Sequence, residues 1–382
     1  MRARAALFAL LFTSYAYFYQ AGGWNQNSRF DLVRAITNEH SLRIDPFQAS
    51  TGDKAYFEGH YYSDKAPGVA FAATPFVWLA RPIVRAFGGD PESYGGIAFL
   101  SYLATVVTSG LFTALAAVLL YDVCLALGAS TGGALLAALT YGLASPMWPL
   151  ATLFLGHAIS AACLIVAYAA AVALRPTAVG SPKGLRYDRT NKATAELAET
   201  AEHVHDSVAP APSAVHDVLL GLAVGVGGGW ATVSEFPAAI GAALIAALAA
   251  WHAWPLGRER FVRITTGIAI GALACAAILM AYQYACFGSP FHVAYTSEQG
   301  FEAMQQGFFG IGTPRLVRLR RILFEEYRGL LPIAPALALA PLGLVLLAMR
   351  DRRTRPAVLV AAIGSFASSR RSWSGRSDAR RS

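Results

Sequence analysis

Residues 59–68 read Gly-His-Tyr-Tyr-Ser-Asp-Lys-Ala-Pro-Gly and close a polar stretch on an otherwise hydrophobic chain. From Ala21 to Gly68 that stretch holds six Asp or Glu, five Lys or Arg and two His, with the rings of Trp24, Tyr56, Tyr61 and Tyr62 among them. One apolar segment precedes it and several follow. A chain needs no such loop to anchor itself in lipid. Acids, bases and aromatic rings gathered between spans are where a membrane enzyme would keep its chemistry.

The rest of the chain supports that setting. Of 382 residues, 55% are hydrophobic and 14% charged, whereas soluble domains carry about 25% charged residues. The fold class expected is an all-α polytopic membrane protein. The net charge of +8 gathers at the ends of apolar segments, where cytoplasmic flanks hold Lys and Arg, and gives no reason to expect a nucleic-acid partner. Cys124, Cys163, Cys275 and Cys286 have no paired spacing and read as small core residues.

A span needs about 20 apolar residues. The candidates are 5–20, 97–120, 132–151, 157–174, 217–233, 236–254, 262–286 and 330–349, with a further segment beginning near Pro356. The first could be taken for a signal peptide, but its aromatic end (Tyr15, Tyr17, Phe18, Tyr19) reads as an interfacial belt of a retained helix. Residues 69–87 differ. Their charge-free run stops at Ala80, Pro75 interrupts it, and Arg81 and Arg85 end it, which suits a helix lying on the membrane surface. With 69–87 on the surface, Arg2, Arg4, Arg175, Lys183, Arg186, Arg189, Lys192, Arg258, Arg260, Arg263, Arg350, Arg352, Arg353 and Arg355 all fall inside. If 69–87 crossed, every one of these after Arg4 would move outside, against the positive-inside rule.

The domain expected is therefore 1–365, with an outer loop 21–96, a cytoplasmic linker 175–216 and a second outer loop 287–329. The linker carries His203, His205 and His216, but its Ala/Pro/Thr/Glu composition reads as flexible chain rather than a metal site. Residues 366–382 form a basic Ser/Arg tail, expected to be disordered or aberrant on a chain cut short at its C-terminus and, on that view, an inactive fragment.

Among the loop acids, Asp31, Asp45, Asp53 and Asp64 are candidate general bases, since transfer to a hydroxyl wants a carboxylate within hydrogen-bond reach of the acceptor. The same carboxylates suit a divalent cation; no other cofactor is suggested. Lys65 precedes Ala66-Pro67, and Pro67 restricts Ala66 to extended geometry. That holds an ammonium at headgroup depth, able to bind a lipid phosphate. Arg29 and His60 are further phosphate candidates. His157 and Glu235 approach the same outer face and are candidates for lining its cavity. An acid at membrane depth requires a cavity or a partner.

These features resemble the C-type (GT-C) membrane glycosyltransferases, and in pattern the protein O-mannosyltransferases and lipid A aminoarabinose transferases. The residues that carry the resemblance are Asn25-Gln-Asn-Ser-Arg29, Thr51-Gly-Asp-Lys-Ala55, Gly59 to Gly68, Tyr284 to Phe291, and Tyr327 to Leu330. Lys65-Ala-Pro-Gly68 stands where that family has Lys-Pro-Pro-Leu. The family's Asp-Glu pair has no counterpart. Aligned on Arg29-Phe30, its acidic positions hold Gln26 and Asn27, which leaves the base to another loop acid. The resemblance implies a GT-C-like bundle with a large first extracytoplasmic loop and a juxtamembrane helix, in a bacterial inner membrane of the cell envelope with a cytoplasmic N-terminus. It implies an inverting transfer of a sugar from a polyprenyl-phosphate donor to a lipid, glycan or protein hydroxyl, with Lys65 on the phosphate. Two readings stand beside it: a transporter or flippase of a lipid-linked or anionic solute, supported by Glu235 in a broken helix, and a non-catalytic scaffold.

Overall fold

The structure is a computed structural model that describes residues 2–175, 214–300, 316–326, 329–350, 355–356 and 358–359. His203, His205 and the 366–382 tail lie outside the described residues. In chain order the elements are α1 (Arg2–Tyr17), α2 (Trp24–Glu39), β1 (Lys54–Phe57), β2 (His60–Ser63), α3 (Gly68–Ala86), α4 (Tyr94–Ala126), α5 (Thr131–Leu143), α6 (Met147–Ala151), α7 (Gly156–Ala173), α8 (Ala214–Ser234), α9 (Ala239–Ala253), α10 (Arg258–Phe287) and β3 (Glu298–Gln299). Shorter helical segments follow at Leu316–Phe324, Leu330–Ile333 and Ala340–Arg350.

The chain is mostly helical, and six helical stretches are long and apolar enough to cross a membrane: α3, α4, α7, α8, Phe236–Leu256 around α9, and α10. Two expected spans are broken instead. The stretch 132–151 stops at Leu143 and restarts as α6 after Ser145-Pro146, because proline removes a donor and bars the preceding residue from helical geometry. The stretch 330–349 breaks at Ala334-Pro335, with Ala334 out of helical geometry at φ −137 and ψ 71. The helix expected over 97–120 runs longer, over Tyr94–Ala126, with a π turn at Val106–Gly110.

Side-chain pairs assign the helix ends. Arg4, at the start of α1, bonds Asp122 near the end of α4 at 2.7 Å. Tyr19, just past α1, bonds Ser101 near the start of α4 at 3.0 Å. The two helices are therefore antiparallel. Arg175, beyond α7, reaches the carbonyl of Ala126, and Asp217, at the start of α8, is held by Arg260 and Arg263 at the start of α10. One end of the bundle thus gathers Arg4, Asp122, Arg175, Asp217, Arg260 and Arg263. The opposite end receives α2, the strands, the start of α7 and the ends of α8 and α10. The start of α4 also lies at this second end, and so does the start of α3, where Gly68 meets Ser234.

Glycines set the packing of α8 on α10. Gly221, Gly225 and Gly229 recur every fourth residue on α8 and face Gly267, Gly271 and Cys275 on α10. A Cβ at Gly271 would sit 2.7 Å from the amide nitrogen of Val226, and one at Gly229 would sit 2.6 Å from the Cβ of Cys275. Small residues at this spacing let two helix backbones touch.

A three-stranded antiparallel sheet, ordered β2-β1-β3, sits in the polar loop; helical periodicity gave no sign of it. Phe57 pairs with His60 across a two-residue turn. Glu58 (φ 48) and Gly59 (φ 89) supply the left-handed pair such a turn requires. β3 reaches this sheet from more than 200 residues away, with Ala55 opposite Glu298.

Candidate functional site

Lys65 is set by its neighbours on both sides. Before it, β2 ends with Tyr62 and Ser63, both buried. After it, Pro67 opens α3 with φ −79. The Lys65 side chain is buried, and its Nζ lies 2.5 Å from Asp64 and 3.2 Å from Asp53. Burial opposes the ammonium, but the carboxylates of Asp64 and Asp53 outweigh it and raise the Lys65 pKa. The lysine therefore stays charged. Asp64 is fully buried and also accepts from Ser28 at 3.2 Å, while Ser28 and Ser63 hydroxyls meet at 2.9 Å. Asp53 keeps partial access to solvent.

Beside this triplet lies Arg29 of α2, 2% exposed. Its Nη2 donates to Glu235 at 2.5 Å. Its Nε and Nη1 are buried with no hydrogen-bond partner. Glu235 occupies the extended residue between α8 and Phe236-Pro237 and also meets His157 Nδ1 at 3.1 Å. Burial pushes the Glu235 carboxyl up, but His157 and Arg29 overcome it and hold it well below the usual range. Two glycines permit this approach: a Cβ at Gly156 would collide with the Ser234 carbonyl and Glu235 Oε1, and one at Gly68 with Ser234. Arg29 is close enough to act on the charges of both Asp64 and Lys65.

The 288–300 segment completes the enclosure. Tyr295 packs edge-on against Phe236 at 5.5 Å and feels the charges of Glu235, Arg29, Asp64 and Glu298. Glu298 is 4% exposed and lies close enough to Asp64, Lys65 and Asp53 to feel their charges. Neither Tyr295 nor Glu298 was anticipated from sequence. The loop 287–329 was expected on the same side as the loop 21–96, and the β1–β3 pairing brings its Glu298 and Gln299 against Ala55 and Lys54 of that loop.

The remaining expected residues are placed elsewhere. Asp31 accepts from Ser50 and lies 3.2 Å from Arg34, which also bonds Glu92 at 2.6 Å. Burial pushes Asp31 up to about 6, with Ser50 and Arg34 limiting the rise. Asp45 and His60 pair with each other at 2.8 Å, and Asp45 also accepts from the Tyr61 amide at 2.6 Å. These contacts brace the hairpin against the 45–50 turn. Of nine expected residues, Arg29, Asp53, Asp64, Lys65, His157 and Glu235 converge, and Asp31, Asp45 and His60 do not join them.

Among the described residues no set of three or more His, Cys, Asp or Glu side chains is arranged to hold a metal ion. The Lys65 ammonium already stands between Asp53 and Asp64. The chain was compared with protein-family models, curated proteins and solved structures, and none matches.

Proposed function

We propose that this is a membrane glycosyltransferase that moves a sugar from a polyprenyl-phosphate donor to an acceptor hydroxyl, at the membrane face opposite its N-terminus. The observation that carries the reading is Arg29. A buried guanidinium with two unfilled donor groups is costly, and an anionic oxygen satisfies it best. A phosphate between Arg29 and Lys65 would receive charge-assisted bonds from both. Such a site at the end of an apolar bundle suits a phosphate whose remainder is a lipid chain.

The geometry also supports a choice among the acids. Asp64 is buried and committed to Lys65 and Ser28. Asp31 is committed to Ser50 and Arg34, and Asp45 to His60. Asp53 is next to the ammonium yet reachable from outside, and is the base in this reading. The acceptor O–H gives its proton to Asp53 as its oxygen attacks the anomeric carbon. The bond from that carbon to the phosphate oxygen breaks, its electron pair leaves with the lipid phosphate, and Arg29 and Lys65 hold the added charge.

α3 is the juxtamembrane helix of this reading. It begins beside Lys65, and Arg81 near its far end bonds Glu92, which also holds Arg34 of α2. α2 carries Arg29, Asp31 and Arg34 and is too polar to lie in hydrocarbon. These ties of α3 to the polar α2 near both of its ends support that reading. A transporter is less well supported, because it would keep ionised groups at mid-span. Among the described residues of α4, α7, α8, α9 and α10 the charged side chains lie near the helix ends.

Membranes holding the wild-type chain, incubated with radiolabelled polyprenyl-phosphate sugars, are expected to transfer label to lipid, glycan or protein. Arg29→Met should abolish transfer and weaken donor binding at least tenfold, about 1.4 kcal/mol. Normal donor binding by Arg29→Met would remove the basis of the proposal.

A further inference from the structure

Trp24 opens α2, and the transfer chemistry gives it no task. Its indole is fixed on one side. A Cβ at Gly52 would lie 2.6 Å from Cε3 of Trp24, 2.8 Å from Cζ3 and 2.9 Å from Cδ2. These are three consecutive carbons of the six-membered ring, with Cε3 in the middle. An approach to the ring edge would leave the two outer carbons much farther away than the middle one. Their near-equal distances mean that the ring lies with a face on Gly52, where no side chain would fit. The remainder of Trp24 is open, with 59% of the residue exposed.

The seat of the indole is joined to Asp53. The buried Thr51 hydroxyl donates to the Trp24 carbonyl at 2.7 Å and accepts from the Asp53 amide at 3.0 Å. Asn27, in the first turn of α2, donates to the Ser50 carbonyl at 2.8 Å. The 50–53 turn is therefore fastened to the start of α2, and the indole is held on the residue that precedes the proposed base.

An indole with one face seated and the other open suits a ligand that is flat and apolar on one side and carries hydroxyls at its edge. A pyranose ring has both. Its axial C–H bonds can lie against the negative face of the indole, while its equatorial hydroxyls stay free, one of them for a carboxylate. A lipid alcohol has no flat face, and neither does the serine or threonine of a peptide. We propose that Trp24 is the platform on which a saccharide acceptor stacks, so that one acceptor hydroxyl reaches Asp53. The acceptor class is then a glycan. This assignment rests on the transferase reading for what the saccharide does once bound, and its test reads binding without turnover.

The full chain, fluorescently labelled and purified in a detergent without a sugar headgroup, is applied to an array of immobilised oligosaccharides. Wild type is expected to be retained on a defined subset. Trp24→Leu keeps an apolar side chain but removes the aromatic face, and should weaken that retention by about tenfold or more. Trp24→Phe keeps a face and should preserve most of it. Binding of polyprenyl-phosphate sugars should be unchanged in both, and thermal unfolding scans check that both fold. If Trp24→Leu does not fold, Gly52→Ala decides in its place, since its Cβ lifts the ring off its seat and should lower retention likewise. No retention of wild type, or retention that survives in the deciding variant, would overturn the proposal. Weakened donor binding with array retention intact would put the donor sugar on the indole and overturn it too. Retention lost with the aromatic face, in a wild-type chain that transfers no sugar, would keep the saccharide platform and discard the transferase reading.

Discussion

Arg29 shows how far a single residue could be read in advance. Its place in an acid- and aromatic-rich loop marks it as a phosphate candidate, but its partner Glu235 lies 206 positions away, and no local pattern links the two. His157 and Glu235 were legible only as polar groups at the edges of apolar runs. What brings them together is the missing Cβ at Gly156, so Gly156→Ala should displace Glu235 from Arg29. Transfer is expected to fall at least tenfold while the protein still folds, which a transfer assay together with a thermal unfolding scan can check. The loop acids separate in the same way. Asp53→Asn should cost about 10²–10⁴ in transfer rate, the usual effect of losing a positioned base, whereas Asp31→Asn should keep most of it. Asp31 has a second signature. Its folded pKa of about 6 exceeds the ordinary value of 3.8, so its ionisation costs stability as pH rises through that window. Asp31→Asn should raise the unfolding midpoint above pH 6 and change it little well below pH 3.8, where the carboxyl is neutral both folded and unfolded.

Elements were read with mixed success, for physical reasons. Apolar runs announced α4, α7, α8, α9 and α10 to within a few residues, because a span must be long and unbroken. The segments 132–151 and 330–349 passed the same test of composition and failed it at Pro146 and Pro335, where the backbone cannot continue. The hairpin was missed although Glu58-Gly59 marks its turn, since four-residue strands leave almost no periodicity. α3 is the element most open to a direct check. In a chain with its four native cysteines replaced by alanine, Cys at positions 49 and 94 should react with an impermeant thiol reagent from one membrane face. Cys at position 129 should react only from the other. Opposite labelling of 49 and 94 would mean that α3 crosses. The α8–α10 seam was legible too, as glycines four apart at 221, 225 and 229 and again at 267 and 271. Gly225→Val forces a branched side chain against the Ile268 carbonyl, and overpacking of this kind typically costs about 1–3 kcal/mol. A lowered unfolding midpoint is expected, with donor binding retained in the fraction that stays folded.

Over the whole molecule, the charge pattern gave the most reliable guidance. Arg4, Arg175, Arg260 and Arg263 were expected on one side from their flanking positions, and their bonds to Asp122, the Ala126 carbonyl and Asp217 gather them at one end. The catalytic constellation proposed here uses the other end, drawing on α2, the β1–β2 hairpin, α8 and the 288–300 segment. The glycine seam bears on how that end can work. Backbones in contact have no compressible side chains between them, so α8 and α10 behave as one post. Glu235 rides on the top of that post, with Tyr282 and Phe287 beside it. Such a post cannot yield to an arriving molecule. One wall of the site is thus set by backbone contact between α8 and α10, while the hairpin and the 288–300 segment, joined to it by side chains, form the other.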